Sequence, residues 1–142
     1  MPKNYSERLK IFFHSRVWKW RHSKGVYVAA ETIVIERLLM PTDTCIDIGA
    51  HAGSWTLPLA KMVPAGRVIA FEALPYYAEV LKLLVRSSNC RNVEIFNFAV
   101  SDSDGSTEIA WRQVSGRKLT GNTHVVTADR DVHEMAIASI AK

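Results

Sequence analysis

Two short apolar runs, each ended by residues that a strand interior rarely holds, restrict this chain to a small set of folds. Thr44-Cys45-Ile46-Asp47-Ile48 breaks into Gly49-Ala50-His51-Ala52-Gly53, and Arg67-Val68-Ile69-Ala70-Phe71 stops at Glu72, nineteen residues after Gly53. The second run is apolar enough to be buried on both faces, as parallel strands are. A strand that enters a Gly-x-x-x-Gly turn and then a helix leaves backbone N–H groups facing outward at a helix N-terminus, where an anion or a polar cofactor can sit. Glu72, at the end of the second strand, is placed to grip a ribose diol.

The residue types in the turn narrow the cofactor. A dinucleotide fingerprint is Gly-x-Gly-x-x-Gly, because its second glycine lets a pyrophosphate approach the backbone. His51 holds that position here and would crowd a pyrophosphate, and Asp47 adds a negative charge beside it. A nicotinamide-dependent oxidoreductase is therefore disfavoured. S-adenosylmethionine carries an ammonium, a sulfonium and a ribose diol but no phosphate, so both Asp47 and Glu72 have a partner on it.

Three blocks carry a family resemblance. They are Cys45 to Gly53, then Gly66-Arg67-Val68-Ile69-Ala70-Phe71-Glu72, then Asn92-Val93-Glu94-Ile95-Phe96-Asn97-Phe98-Ala99-Val100-Ser101-Asp102-Ser103-Asp104-Gly105. In order and spacing the chain resembles the FkbM family of S-adenosylmethionine-dependent methyltransferases. That family's pattern reads Asp-x-Gly-Ala-Asn/His-x-Gly, Val-x-x-Phe-Glu-Pro and Asn-Val-x-x-x-Asn-x-Ala-x-Ser-Asp-x-x-Gly. The sequence departs at Ala73, where the family has Pro, and at Leu84 and Ser88, where its second helix often carries Asn.

The resemblance implies an α/β, Rossmann-like methyltransferase sheet with helices on both faces. The implied donor-binding residues are Asp47, Gly49, Ala50, His51, Gly53 and Glu72, with Leu74 and Phe98 bracketing an adenine ring or serving as core. The family tolerates Asn at the His51 position, which assigns His51 to loop hydrogen bonding rather than to base catalysis, although a free imidazole titrates near pH 6.5. No catalytic base is assigned. The acceptor implied is a hydroxyl on a small metabolite, sugar or polyketide.

The likeness continues through Val125-Val126-Thr127-Ala128-Asp129 to Lys142. In the family that Lys is followed by Ile-Asp-x-Glu-Gly-x-Glu and by the acceptor side, so the chain reads as the N-terminal portion of such a domain. An incomplete parallel sheet exposes an unpaired strand edge, which favours self-association. A non-catalytic remnant and an RNA-binding methyltransferase piece are the competing functions.

The 142 residues are one domain's worth, and 48% apolar content supports a packed core. We divide the chain into a basic arm over 1–25 and the methyltransferase portion over 26–142. The arm carries seven Lys or Arg against one Glu, leaving the rest of the chain slightly acidic. Leu9, Phe12, Phe13, Val17 and Trp20 recur in it at helical spacing among Arg8, Lys10, Arg16, Lys19 and Arg21. The first expectation is that this aromatic stripe packs on the domain. The alternatives are a membrane-surface anchor and a nucleic-acid contact. Cys45 and Cys90 lack metal-site spacing and read as free thiols. No apolar run of about 18 residues and no signal-peptide core is present, so a cytoplasmic protein is expected.

Along the rest of the chain, helices are expected over Val26 to Met40, Trp55 to Met62 and Pro75 to Ser87. A strand is expected over Val93 to Val100, with Thr107 to Trp111 returning as its antiparallel hairpin partner and a loop over 112–124.

Overall fold

A computed structural model describes residues 4–25, 30–113, 124–125 and 132–141. The chain opens with helix α1 (Tyr5–Ser23), whose start is fixed by Asn4: its side-chain oxygen accepts the Glu7 N–H at 2.9 Å, satisfying one of the unpaired donors of the first turn. Helix α2 (Ala30–Leu38) follows, and then strand β1 (Thr44–Ile48), helix α3 (Thr56–Met62), strand β2 (Arg67–Phe71), helix α4 (Pro75–Ser87) and strand β3 (Val93–Phe96). Strand β4 (Ala99–Val100), β5 (Gly105–Gln113), β6 (His124–Val125) and β7 (Val132–Ala141) complete the described elements.

The first sheet is parallel, in the order β1-β2-β3, with Asp47 opposite Ala70 and Ala70 opposite Ile95. Two consecutive crossovers running in one direction place their helices on one face, because parallel crossovers are right-handed. Cys45, Val68 and Ala70 accordingly turn inward to a core made by Leu57, Leu59 and Ala60 of α3 and Val80, Leu81 and Leu84 of α4. The α4 boundaries match the sequence expectation, with Pro75 in the first turn where a missing N–H costs nothing. Its buried set is turned slightly: Tyr77 and Leu81 are fully enclosed, while Tyr76 and Leu83 are only partly so.

The opposite face of β1 is open. Ile46 is 61% and Ile48 64% exposed. The α/β class and the parallel sheet agree with the sequence reading, but the helices expected on both faces stand on one face among the described residues. Helices reach the second face only where the strand order reverses direction.

Two further expectations are corrected. The strand expected over Val93 to Val100 is cut at Asn97-Phe98, where the Asn97 side-chain Nδ2 donates to the backbone carbonyls of Glu72 (2.7 Å) and Ala73 (3.2 Å). Strand β5 is no hairpin partner of that strand. It pairs antiparallel with β7 and β6 in a second sheet of order β4-β7-β5-β6, and β7 lies between β4 and β5. The expected loop over 112–124 lies mostly outside the described residues, as do 26–29 of the expected second helix and most of the Val125 to Asp129 motif.

The basic N-terminal helix is mounted the other way round from the expectation. It packs along α4 through Ile11 and Trp18, which join the main core. Leu9, Phe12, Phe13, Val17 and Trp20 all face outward. Apolar residues occur on both sides of α1, so the spacing alone allowed either face to dock.

This mounting sets the cost of truncation. Trp18→Ala is expected to lower unfolding stability by about 3 kcal/mol, as for other buried aromatic deletions, whereas Phe13→Ala stays within about 0.5 kcal/mol. Urea denaturation of both variants checks this, and the reverse ranking would show that the aromatic stripe is the docked face.

Candidate functional site

The C-terminal ends of β1 and β2 meet at a corner built around Glu72. This residue is only 6% exposed, and both of its carboxylate oxygens are engaged. One accepts the His51 N–H at 2.7 Å and the other the Leu74 N–H at 2.8 Å. One side chain thus ties the turn after β1 to the start of α4. Asn97 holds the carbonyl of the same residue, so β3 is tied in as well.

The turn itself is shaped by two glycines in the left-handed region, Gly49 at φ +82° and Gly53 at φ +76°. A side chain at Gly53 would strike Leu81 Cδ1 at 2.8 Å, whereas the space in front of Gly49 is open. Gly49 is therefore required by its backbone angle and leaves clear access to the turn. His51 also lies at positive φ, 48°.

The expectation of outward-facing N–H groups is corrected here. Gly49 and Ala50 both donate to the Phe71 carbonyl, at 2.9 and 3.0 Å, Gly53 donates to the Ala50 carbonyl at 2.8 Å, and His51 donates to Glu72. Four amides that a phosphate-binding turn would present are consumed by the protein.

Asp47 points to the helical side of β1, where Thr56 Oγ1 donates to one of its oxygens at 2.5 Å. Thr56 is fully buried in the first turn of α3, so this contact joins the strand end to the helix start. Burial raises the Asp47 pKa above its ordinary value, and the Thr56 hydrogen bond partly opposes this. Burial likewise raises Glu72, against the two backbone N–H bonds, with a further upward push from the Asp47 charge. Among the described residues neither carboxylate has an ion-pair partner. The two buried carboxylates are close enough for the Asp47 charge to perturb Glu72, and among the described residues no cation offsets them.

The His51 ring does not hydrogen-bond in the loop as expected. It turns inward, packed at a tilt against Tyr77 at 3.7 Å between ring centroids and edge-on to Trp18 at 5.3 Å, and its Nε2 is buried without a partner. The hydrogen-bonding group is the His51 backbone amide. Burial, with a smaller contribution from His14, pushes the imidazole pKa down to about 4, so the ring is neutral at neutral pH. Helix α1 also reaches the turn directly, since His22 Nε2 lies 3.1 Å from the Ala52 carbonyl.

Leu74 is buried with Tyr77 and Ile109. Phe98 stands half-buried beside Phe71 and Phe96, with ring centroids 5.4 and 5.6 Å away, at the sheet's C-terminal edge. Asp47, Gly49, Ala50, His51, Gly53, Glu72 and Leu74 lie at the ends of β1 and β2 and in the segments that follow them, whereas Phe98 packs with Phe71 and Phe96, whose register opposite Ile48 puts them on the face away from α3 and α4. Thr56 and Asn97 were not singled out from sequence. Asn97 had a signal, its place in the third motif block, but Thr56 had none beyond its position at the start of a helix.

The methyltransferase FkbM domain matches residues 47–136 of the chain. No curated protein matches. Among solved structures, the chain is similar to precorrin-6y C5,15-methyltransferase from Geobacter metallireducens GS-15, with 26% identity and a TM-score of 0.44. That likeness covers 48% of this chain and 36% of the other.

Two outcomes follow from the geometry. Thr56→Val removes the side-chain donor to buried Asp47 while keeping the Thr56 backbone N–H, and is expected to cost about 1–3 kcal/mol of stability in urea denaturation. The second concerns pH. The His51 imidazole, ordinarily near 6.5, is held down to about 4 in the fold, so the folded state resists protonation and loses stability as pH falls from 6.5 toward 4. His51→Asn, which tolerates positive φ, lacks this loss. The melting-temperature advantage of wild type over the variant should shrink across that window, and a constant difference would refute the assignment.

Proposed function

The chain belongs to the FkbM methyltransferase family, and from that premise we propose that its corner of Asp47, Gly49, Ala50, His51, Gly53 and Glu72 binds S-adenosylmethionine for methyl transfer to a hydroxyl of a small metabolite, sugar or polyketide. The observation that carries this reading is the pair of buried carboxylates without a cation. An ammonium or sulfonium supplies the missing charge, and a ribose diol can donate to the lone pairs that Glu72 keeps beyond its two backbone bonds. The consumed amides of the turn favour a cofactor without phosphate.

In this reading each residue has a defined task. Asp47, held by Thr56, presents its second oxygen to the ligand's cationic end. Glu72 orients the ribose. Gly49 keeps the approach clear. Leu74 and Phe98 border the adenine side. S-adenosylmethionine supplies an electrophilic methyl group on sulfur, which an acceptor oxygen displaces in line. The contribution of the chain is to hold the donor rigidly, and orientation of this kind is worth several kcal/mol of barrier. His51, neutral and enclosed by Tyr77 and Trp18, shapes the turn and takes no proton from the acceptor.

Calorimetric titration of S-adenosylmethionine tests the donor site. Saturable binding is expected, weakened about tenfold or more by Asp47→Asn, which preserves the acceptor for Thr56 while removing the charge. Affinity should also rise with pH through the elevated pKa values of Asp47 and Glu72, because a cationic ligand prefers their ionised forms. Absence of binding by folded protein, or binding indifferent to Asp47→Asn, would contradict the proposal.

A further inference from the structure

The outer face of α1 is an apolar stripe with cations along both borders. At about 100° per residue, Tyr5, Leu9, Phe12, Phe13, Val17 and Trp20 share the side opposite Ile11 and Trp18, the residues that dock the helix on the domain. Phe13 is 64% and Trp20 60% exposed, and Phe12 meets Phe13 edge to face at 5.9 Å. Arg8 and Lys19 follow one border of the stripe, Lys10 and Arg21 follow the other, and Arg16 lies within it. The one acidic residue of the helix, Glu7, falls on the docked side. This face therefore carries large apolar groups and positive charge with no negative charge.

We propose that the outer face of α1 seats the protein on an anionic lipid surface, with the helix lying in the plane of the headgroups. The order of groups across the helix matches that environment. Aromatic and aliphatic side chains at the centre enter the boundary between headgroups and acyl chains, while the exposed cations Arg8, Lys10 and Arg16 reach outward to lipid phosphates and carboxylates. A second copy of the chain fits this face poorly, because pairing two such stripes would bring their cationic borders together. Nucleic acid would require the cations at the centre of the contact and gains little from buried Val17 and Leu9. None of the described helices is long and apolar enough to cross a membrane, so the contact is peripheral. The helix is also tied to the domain: Lys19 Nζ donates to the Ser87 carbonyl at 2.6 Å, and His22 Nε2 lies 3.1 Å from the Ala52 carbonyl. Membrane seating would thus present the whole domain in one orientation.

Vesicle flotation of the full chain tests this, using phosphatidylcholine alone and phosphatidylcholine containing phosphatidylserine. The protein should float with the serine-containing vesicles and bind phosphatidylcholine at least about tenfold less, with retention falling as salt rises. The exposed positions allow substitution without unfolding, so Phe13→Ser with Trp20→Ser, and separately Lys10→Glu with Arg16→Glu, should each reduce retention about tenfold or more while circular dichroism stays unchanged. The proposal is overturned by failure of folded protein to float, or by retention that the aromatic pair does not alter. It is equally overturned if the stripe proves to be a dimer contact, seen as lipid-free self-association abolished by the aromatic pair, or if RNA displaces the vesicles through the same residues.

Discussion

The Glu72 carboxylate is the contact on which the site depends. Burying an ionised carboxylate is unfavourable unless hydrogen bonds replace the lost water, and here two backbone amides do so, from His51 and Leu74. Each amide belongs to a different crossover, so the bond that compensates the charge also fixes the turn after β1 against the start of α4. The Asn97 amide adds β3 through the carbonyl of the same residue. Three strand ends thus converge on one residue, two contacts through its carboxylate and one through its backbone carbonyl. The carboxylates remain uncompensated by any cation among the described residues, and the proposed cationic ligand would supply that charge.

What could be read from the sequence was mostly local. The edges of α4 followed from Pro75 and the apolar spacing behind it, and β1 and β2 from short β-branched runs ended by Gly49 and Glu72. Those signals depend on a few neighbouring residues. The pairing of β5 with β7, the interruption at Asn97 and the Thr56 bond to Asp47 depend on partners distant in the chain, and no periodicity encodes them. The turn amides are a sharper case: the glycines correctly marked a tight turn, but whether its N–H groups face a ligand or the Phe71 carbonyl is decided by how β1 and β2 align.

Helix α1 shows why amphipathic patterning can mislead. Its most conspicuous apolar series is the one left outside, and docking uses Ile11 and Trp18 with polar neighbours His14, Ser15 and His22. Those neighbours earn their burial by specific contacts: Trp18 Nε1 donates to His14 Nε2 at 2.8 Å, His14 Nδ1 lies 3.1 Å from the Tyr76 hydroxyl, and His22 reaches the Ala52 carbonyl. A helix docked through polar aromatic groups looks weakly apolar in sequence. The same contacts place it against the turn after β1, so α1 backs that turn while its other face stays exposed.

The proposed ligand of the corner is a cationic, phosphate-free nucleoside cofactor. The most direct measurement is side-by-side calorimetry of S-adenosylmethionine and a nicotinamide dinucleotide against the same protein. Saturable binding of the first with no detectable heat from the second is the predicted result. Comparable binding of the dinucleotide would mean that the turn amides are free to meet a pyrophosphate, and would contradict the account.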